Sequence, residues 1–197
     1  IDYLTAHHRA WWLSFWQIVI ERYPRLGEPI TISTWPYDFK GIFGYRNFTI
    51  RDKNGEYLVK ANSHWFFFDT EKGTPTRVQE GDIRGYGVGS EEKLDMEYAP
   101  RRIKIPEEYQ EAEPVVVARH HIDTNHHVNN AQYVEIAREL LSEEIQIREI
   151  RVEYQKSAVL GDVIYPRISK DGETTTIALC NREGAPYAVV WFRCISR

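Results

Sequence analysis

The 197-residue chain has room for one large domain or two small ones, and 42% hydrophobic with 13% aromatic residues supplies a packed core, which excludes a disordered chain. A net charge of −4 gives no overall pull toward nucleic acid or an anionic membrane, so an acidic partner has to be met by a local basic patch. No apolar run approaches the roughly 18 residues of a membrane-spanning helix, no signal or transit peptide is visible, and Cys180 and Cys194 read as buried reduced thiols; these features point to the cytoplasm.

Residues 11–20, WWLSFWQIVI, are aromatic and β-branched without a helical stripe, the pattern of a strand buried on both faces. ERYPRLGEP breaks the run, ITISTW resumes it, and Pro36 through Gly44 reads as a loop. RNFTIRD and EYLVKANSHWFFFD flank Asp52-Lys53-Asn54-Gly55, a hairpin signal, because Asn-Gly supplies the positive φ that a tight turn needs. The first third is thus an antiparallel meander, and residues 1–86 are taken as one unit. Residues 87–113 carry scattered charges, prolines and little periodicity, which reads as a surface linker; it contains the basic run Arg101, Arg102, Lys104.

The second unit, 114–197, opens with the strand PVVVARH and then HHIDTNHHVNNAQYVEIARELL. Asp123, Asn125 and His127 sit at every second position, which in an extended segment projects a carboxylate, an amide and an imidazole to one side. Asn129 or Asn130 is placed to cap a helix. Tyr133, Ile136, Ala137, Leu140 and Leu141 then follow the spacing of a buried helical stripe over 131–141. After the helix the grammar of the first unit returns. IREIRVEYQKSAVLGDVIYPRIS mirrors SFWQIVIERYPRLGEPITIST, with Gly161-Asp162 answering to Gly27-Glu28, and Gly184 answers to Gly55 in the following hairpin.

A strand, a polar loop, a central helix and an antiparallel meander are the order of the hotdog fold. Asp123-Thr-Asn125-His-His127-Val128-Asn129-Asn130 followed by Tyr133 resembles the D-x-N-x-H-V-N-N-x-x-Y signature of the acyl-acyl-carrier-protein thioesterases of bacteria and plant plastids. Arg22-Tyr-Pro24, Gly27-Glu28, Thr34-Trp35, Arg46-Asn-Phe48, Asp52, Gly55, Ser63-His-Trp65 and Asp69 also fall in the family pattern. The resemblance implies an α+β tandem hotdog in which the second unit supplies the catalytic residues and the first shapes the acyl pocket. It also implies hydrolysis of a fatty acyl thioester from the phosphopantetheine arm of acyl carrier protein, without cofactor or metal. One departure stands out: where plant members continue into Y-R-R-E-C, with Glu and Cys given catalytic roles, this chain has Tyr154-Gln155-Lys156-Ser157-Ala158.

Thioester hydrolysis asks for a proton acceptor for water and for donors to the developing oxyanion. With no Glu or Cys at 157 and 158, direct attack by water oriented by Asp123, Asn125 and His127 is the expected route, with Asn129, Asn130 and Ser157 in support. Which of Asp123 and His127 takes the proton stays open at this level, and a metal held by the His120–His127 cluster is the minority reading. Arg101, Arg102 and Lys104 are the candidate docking patch for an acidic carrier. An acyl-coenzyme A thioesterase and a non-catalytic acyl-binding hotdog are the alternatives, and a homodimer is compatible with either. Residues 1–10 are too short for the strand and helix that the first meander would need, so the first unit is expected to be truncated at its head, with no long helix inside 1–86.

Overall fold

The aromatic run near the N-terminus forms strand β1 (Arg9–Ile20), entered through a one-turn helix, α1 (Asp2–Ala6). In this computed structural model, residues 2–87, 92–142 and 145–196 are described, and the chain divides into two units, Ile1–Ala99 and Pro100–Arg197. In the first unit β1 is followed by β2 (Ile30–Lys40), β3 (Phe43–Asp52), β4 (Tyr57–Asp69), the short β5 (Thr74–Pro75) and the four-residue α2 (Glu80–Ile83). The antiparallel order is β2-β3-β4-β1, with β5 on β4. Among the described residues of this unit no helix exceeds five residues.

Two expectations for the first unit need correction. Residues 36–44 are not a loop, because β2 runs on through Pro36 to Lys40 and the connection shrinks to a turn at Gly41, φ 65°. Within this unit β2 lies at the outer end of the strand order, where a proline's missing N–H costs no ladder bond, and the register slips between Pro36 and Asp38 to accommodate it. Nor is β1 buried on both faces: Phe15 is fully buried, whereas Trp12 is 44% exposed. Trp12 instead stacks on Phe68 with centroids 4.0 Å apart, so the aromatics near the end of the β1–β4 pair cover one another.

The second unit contains β6 (Gln110–Glu111), β7 (Val115–Val116), α3 (Asn130–Arg138), β8 (Ile145–Tyr154), β9 (Val163–Asp171), β10 (Thr174–Cys180) and β11 (Pro186–Ser196). Its order is β8-β11-β10-β9-β6, with β7 on β9, and α3 packs on β10 and β11. A sheet wrapped on one helix is the hotdog arrangement. Tyr133, Ile136 and Ala137 are the buried stripe of α3, and Asn129 is its cap, its Oδ1 accepting from the Ala131 N–H at 2.9 Å. PVVVARH is strand only at Val115–Val116. Residues Arg119–His121 fold into a 3-10 turn, in which the His121 Nδ1 accepts from the Ala118 N–H at 3.0 Å.

The repeat seen in the sequence extends to individual hydrogen bonds. The N–H groups of Glu21 and Arg22 both donate to the Leu58 carbonyl, at 3.0 and 3.3 Å, and those of Gln155 and Lys156 both donate to Tyr187, at 2.9 and 3.1 Å. Glu28 Oε2 accepts from the Arg25 N–H at 2.8 Å, and Asp162 Oδ2 from the Val159 N–H at 3.0 Å. Gly27 and Gly161 carry these turns at φ 76° and 87°, values that favour glycine. Even the bulges correspond, between Ile50 and Arg51 in one unit and between Leu179 and Cys180 in the other.

The stretch expected to be a linker is anchored rather than loose; 88–91 lie outside the described residues. On the first unit the Trp35 Nε1–H donates to the Glu92 carbonyl at 2.9 Å. Asn47 Oδ1 accepts from the Leu94 N–H at 3.0 Å, and Gln17 Oε1 accepts from the Ala99 N–H at 2.9 Å. On the second unit Glu153 Oε2 accepts from the Ile103 N–H at 2.9 Å. Local periodicity is weak here because side chains distant in sequence supply the partners.

Candidate active site

The polar loop is a closed turn, not the extended segment that its alternation suggested. Ile122 and Val128 form an antiparallel bridge, and the Asp123 N–H donates to the His127 carbonyl at 2.8 Å. The chain reverses through His126, whose φ of 62° is left-handed, a conformation that costs a non-glycine residue roughly 1 kcal/mol or more. Asp123 itself braces the reversal: its Oδ1 accepts from the Asn125 N–H at 2.8 Å and the His127 N–H at 3.3 Å. A short carboxylate two residues before an open N–H closes such a turn more cheaply than an extended loop leaves both groups to water.

The turn gathers Asp123, Asn125 and His127 by this route. The Asn125 amide lies 3.5 Å from Asp123 Oδ2. His127 is half-buried, and its ring has no hydrogen-bond partner among the described residues; His126 is exposed. Asn129 is occupied as the helix cap, and the Asn130 carbonyl accepts from the Tyr154 hydroxyl at 3.0 Å. Ser157 is exposed.

What holds the turn to the helix is a set of residues whose polar role the sequence did not show. The Val128 N–H donates to the Ala158 carbonyl at 2.9 Å, and the Ala158 N–H donates to the Tyr133 hydroxyl at 2.8 Å. Ala158 thus links loop and helix through its backbone alone, and it is fully buried. Burial pushes the Tyr133 phenol up to about 12, and the nearby Tyr187, Asp162 and Asp123 add to that. Asp162 completes the frame, accepting from the Tyr187 hydroxyl at 3.2 Å through Oδ2 and from the Val117 N–H at 2.8 Å through its carbonyl. His121, buried beside the loop, is lowered from its ordinary value by burial and then by His120. In the sequence Tyr133 counts as a stripe residue and as the tyrosine of the signature, with no bond assigned to it; a tyrosine on a buried face, needing a partner for its hydroxyl, was the available signal.

Among the described residues no three His, Cys, Asp or Glu side chains are grouped to hold a metal ion. Both thiols are free and buried, and burial raises both. Of the basic run, Arg101 and Arg102 approach Glu153 Oε1 at 3.9 and 3.4 Å, and Lys104 is exposed. The first unit holds an apolar cavity of about 150 Å³ lined by Trp11, Phe39, Trp65, Tyr86 and Arg46. The Arg46 guanidinium is lowered by burial and donates to Thr34 Oγ1 at 3.1 Å.

Residues 1–86 match the acyl-ACP thioesterase N-terminal domain, and residues 104–189 match the acyl-ACP thioesterase C-terminal domain. The chain belongs to the acyl-ACP thioesterase family. A chloroplastic palmitoyl-acyl carrier protein thioesterase of Arabidopsis thaliana is 26% identical over 164 residues, 78% of this chain and 40% of that protein. An oleoyl-acyl carrier protein thioesterase of the same plant is 27% identical over 86% of this chain and 49% of its own length. The chain therefore spans about half, or less, of the curated relatives it matches. Among solved structures, an acyl-ACP thioesterase from Bacteroides thetaiotaomicron superposes with a TM-score of 0.89 at 22% identity, covering 99% of this chain and 80% of that one. The 12:0-ACP thioesterase from Umbellularia californica gives 0.81 at 19%, covering 99% and 78%. At these identities the two structures establish the fold. No described helix of this family member is long and apolar enough to cross a membrane.

Proposed function

We propose that this chain hydrolyses the thioester of a fatty acyl chain carried on acyl carrier protein and releases the free fatty acid. The observation that carries the reading is the braced turn 123–127, fixed to the start of α3 through Val128, Ala158 and Tyr133 in a member of this family. Such a turn presents an imidazole and an amide from a rigid support. His127 removes a proton from water as the water oxygen bonds to the thioester carbon, and the carbonyl electrons move to oxygen. Donors at the turn, among them the Asn125 amide, stabilise that oxyanion. The intermediate collapses, the C–S bond breaks, and the proton held by His127 passes to the departing thiolate.

Asp123 is assigned a positioning role because both of its oxygens are engaged within the turn. Of the two residues between which the sequence left the choice open, the reading takes His127 as the base. A carboxylate or thiol nucleophile has no place in this scheme, since Ser157 is exposed and Ala158 contributes only backbone bonds. Arg101, Arg102 and Lys104 are taken as docking cations for the carrier, and the two free thiols fit a reducing cytoplasm.

The test is turnover of purified acyl carrier protein and coenzyme A thioesters of one acyl chain. His127→Ala is expected to lower turnover of the carrier-bound substrate by at least about 10²-fold, the scale for losing a positioned acid-base group, with the fold intact by circular dichroism. Undiminished turnover in the folded variant would remove the assignment. Faster hydrolysis of the coenzyme A substrate would move the reading to the alternative carrier, and no hydrolysis of either would leave an acyl-binding protein.

A further inference from the structure

The two units present the same row of four side chains across one face of the sheet, and use it differently. In the first unit the register aligns Gln17, Asn62, Asn47 and Trp35 across β1, β4, β3 and β2. In the second it aligns Arg151, Trp191, Thr176 and Ser169 across β8, β11, β10 and β9. These positions correspond in the repeat that the matching turns and bulges establish.

The first row is closed by a segment of chain. Trp35 donates to the Glu92 carbonyl, Asn47 accepts from the Leu94 N–H, and Gln17 bonds both the Glu97 carbonyl, at 3.0 Å, and the Ala99 N–H. Three of the four side chains therefore bond the backbone of residues 92–99, and Gln17, Asn47 and Asn62 are at most 2% exposed. That segment, EKLDMEYA, contains three acidic residues and one basic.

The second row is half-buried and faces a groove. Its four side chains line a groove of about 240 Å³ together with Arg102 and Lys104. Glu153, two residues along β8 from Arg151 and so on the same face, takes the Ile103 N–H, and residues 100, 103 and 106 form one wall of the groove. Where the first row offers neutral amides, the second offers Arg151, stacked 4.2 Å from the Trp191 ring and anchored on Glu149 at 2.7 Å. Trp191 and the hydroxyls of Thr176 and Ser169 can bond a peptide backbone; of the three cations in the groove lining Arg151 is paired with Glu149 and Arg102 with Glu153, so Lys104 is the one left for an acidic ligand among the described residues, with Asp171 the one carboxylate of the lining.

We propose that this groove binds an acidic segment of a partner protein, laid across Arg151, Trp191, Thr176 and Ser169 as residues 92–99 lie across the corresponding row of the first unit. The groove shares Arg102 and Lys104 with the docking cations proposed above, but its test reads peptide binding alone and so stands or falls apart from hydrolysis.

The probe is a capped, fluorescently labelled peptide of sequence EKLDMEYA, titrated into the full chain by fluorescence anisotropy. Saturable binding is expected with a Kd on the order of 0.1 mM, weakened at least about tenfold by Lys104→Glu and by Arg151→Gln. Lys104 is exposed and makes no hydrogen bond or ion pair among the described residues, so its charge reversal separates binding from folding. A peptide with its acidic residues changed to Gln should lose at least about tenfold as well. No saturation, equal affinity for the neutral peptide, or unchanged affinity in Lys104→Glu would each overturn the proposal; the last would place the peptide on the first unit.

Discussion

The turn between β1 and β2 and the turn between β8 and β9 make the same backbone bonds, yet their carboxylates serve different ends. Glu28 closes its turn and then reaches the Arg22 guanidinium at 2.6 Å, a pair at the surface. Asp162 closes the equivalent turn and then takes the buried Tyr187 hydroxyl, while its carbonyl holds Val117 on the approach to the 123–127 loop. The repeated backbone therefore makes the meander, and the side chain hung on it decides whether a turn ends in solvent or becomes part of the frame of a site. A repeat can be duplicated as structure and diverge as chemistry because these two layers of bonding use different atoms.

Four measurements bear on that contrast. The largest effect is expected at Asp162→Ala, which leaves the Val159 N–H and Tyr187 hydroxyl without their acceptor: a loss of about 2–3 kcal/mol in denaturant unfolding, with turnover falling alongside. An effect no greater than that of Glu28→Ala would break the comparison. Next comes Tyr133→Phe, which removes the acceptor for the buried Ala158 N–H and should cost about 1–3 kcal/mol. Its kcat should fall while KM holds, since the tyrosine positions the loop and is too buried to meet substrate; a change in KM alone would count against that.

The third is an acid titration of stability. His121 has a lowered folded-state value against about 6.5 unfolded, so the unfolded chain takes the proton first; its contribution is present above about pH 6.5 and is lost as the pH falls below it. Glu28 is held at about 2, chiefly by Arg22, so its contribution is present above its unfolded value and is lost only as the pH falls toward about 2. Site-resolved amide exchange between pH 7 and 5 should accordingly loosen the His121 region before the Arg25–Glu28 turn. The smallest effect is expected from Glu28→Gln, a slight fall in Tm at pH 7, because the pair it weakens is solvated.

The signature from Asp123 to Tyr133, the helix and the repeat were legible because each is written in short-range spacing. The geometry of the loop was not. Alternation of Asp123, Asn125 and His127 fits an extended strand, and it equally fits a turn whose first carboxylate accepts from the second and fourth following N–H groups; nothing local separates the two. Pro36 misled for a related reason, since a proline breaks an interior strand but is accommodated where a strand lies at the outer end of its unit's order. Ala158 was read as a lost catalytic side chain, whereas its role is carried by backbone atoms that every residue type possesses. Gln17, Asn47 and Trp35 could not be assigned from sequence at all, because their partners in 92–99 lie 47 to 82 residues away.

The segment 92–99 also has a consequence for the order of assembly. Its anchors come from four strands, β1, β2, β3 and β4, so it has no complete seat until all four are in register. It is therefore expected to seat late in folding and to release early in native-state amide exchange. The Leu94 and Ala99 amides, held by side-chain carbonyls of Asn47 and Gln17 rather than by a strand ladder, would act as a latch whose opening is separate from that of the sheet.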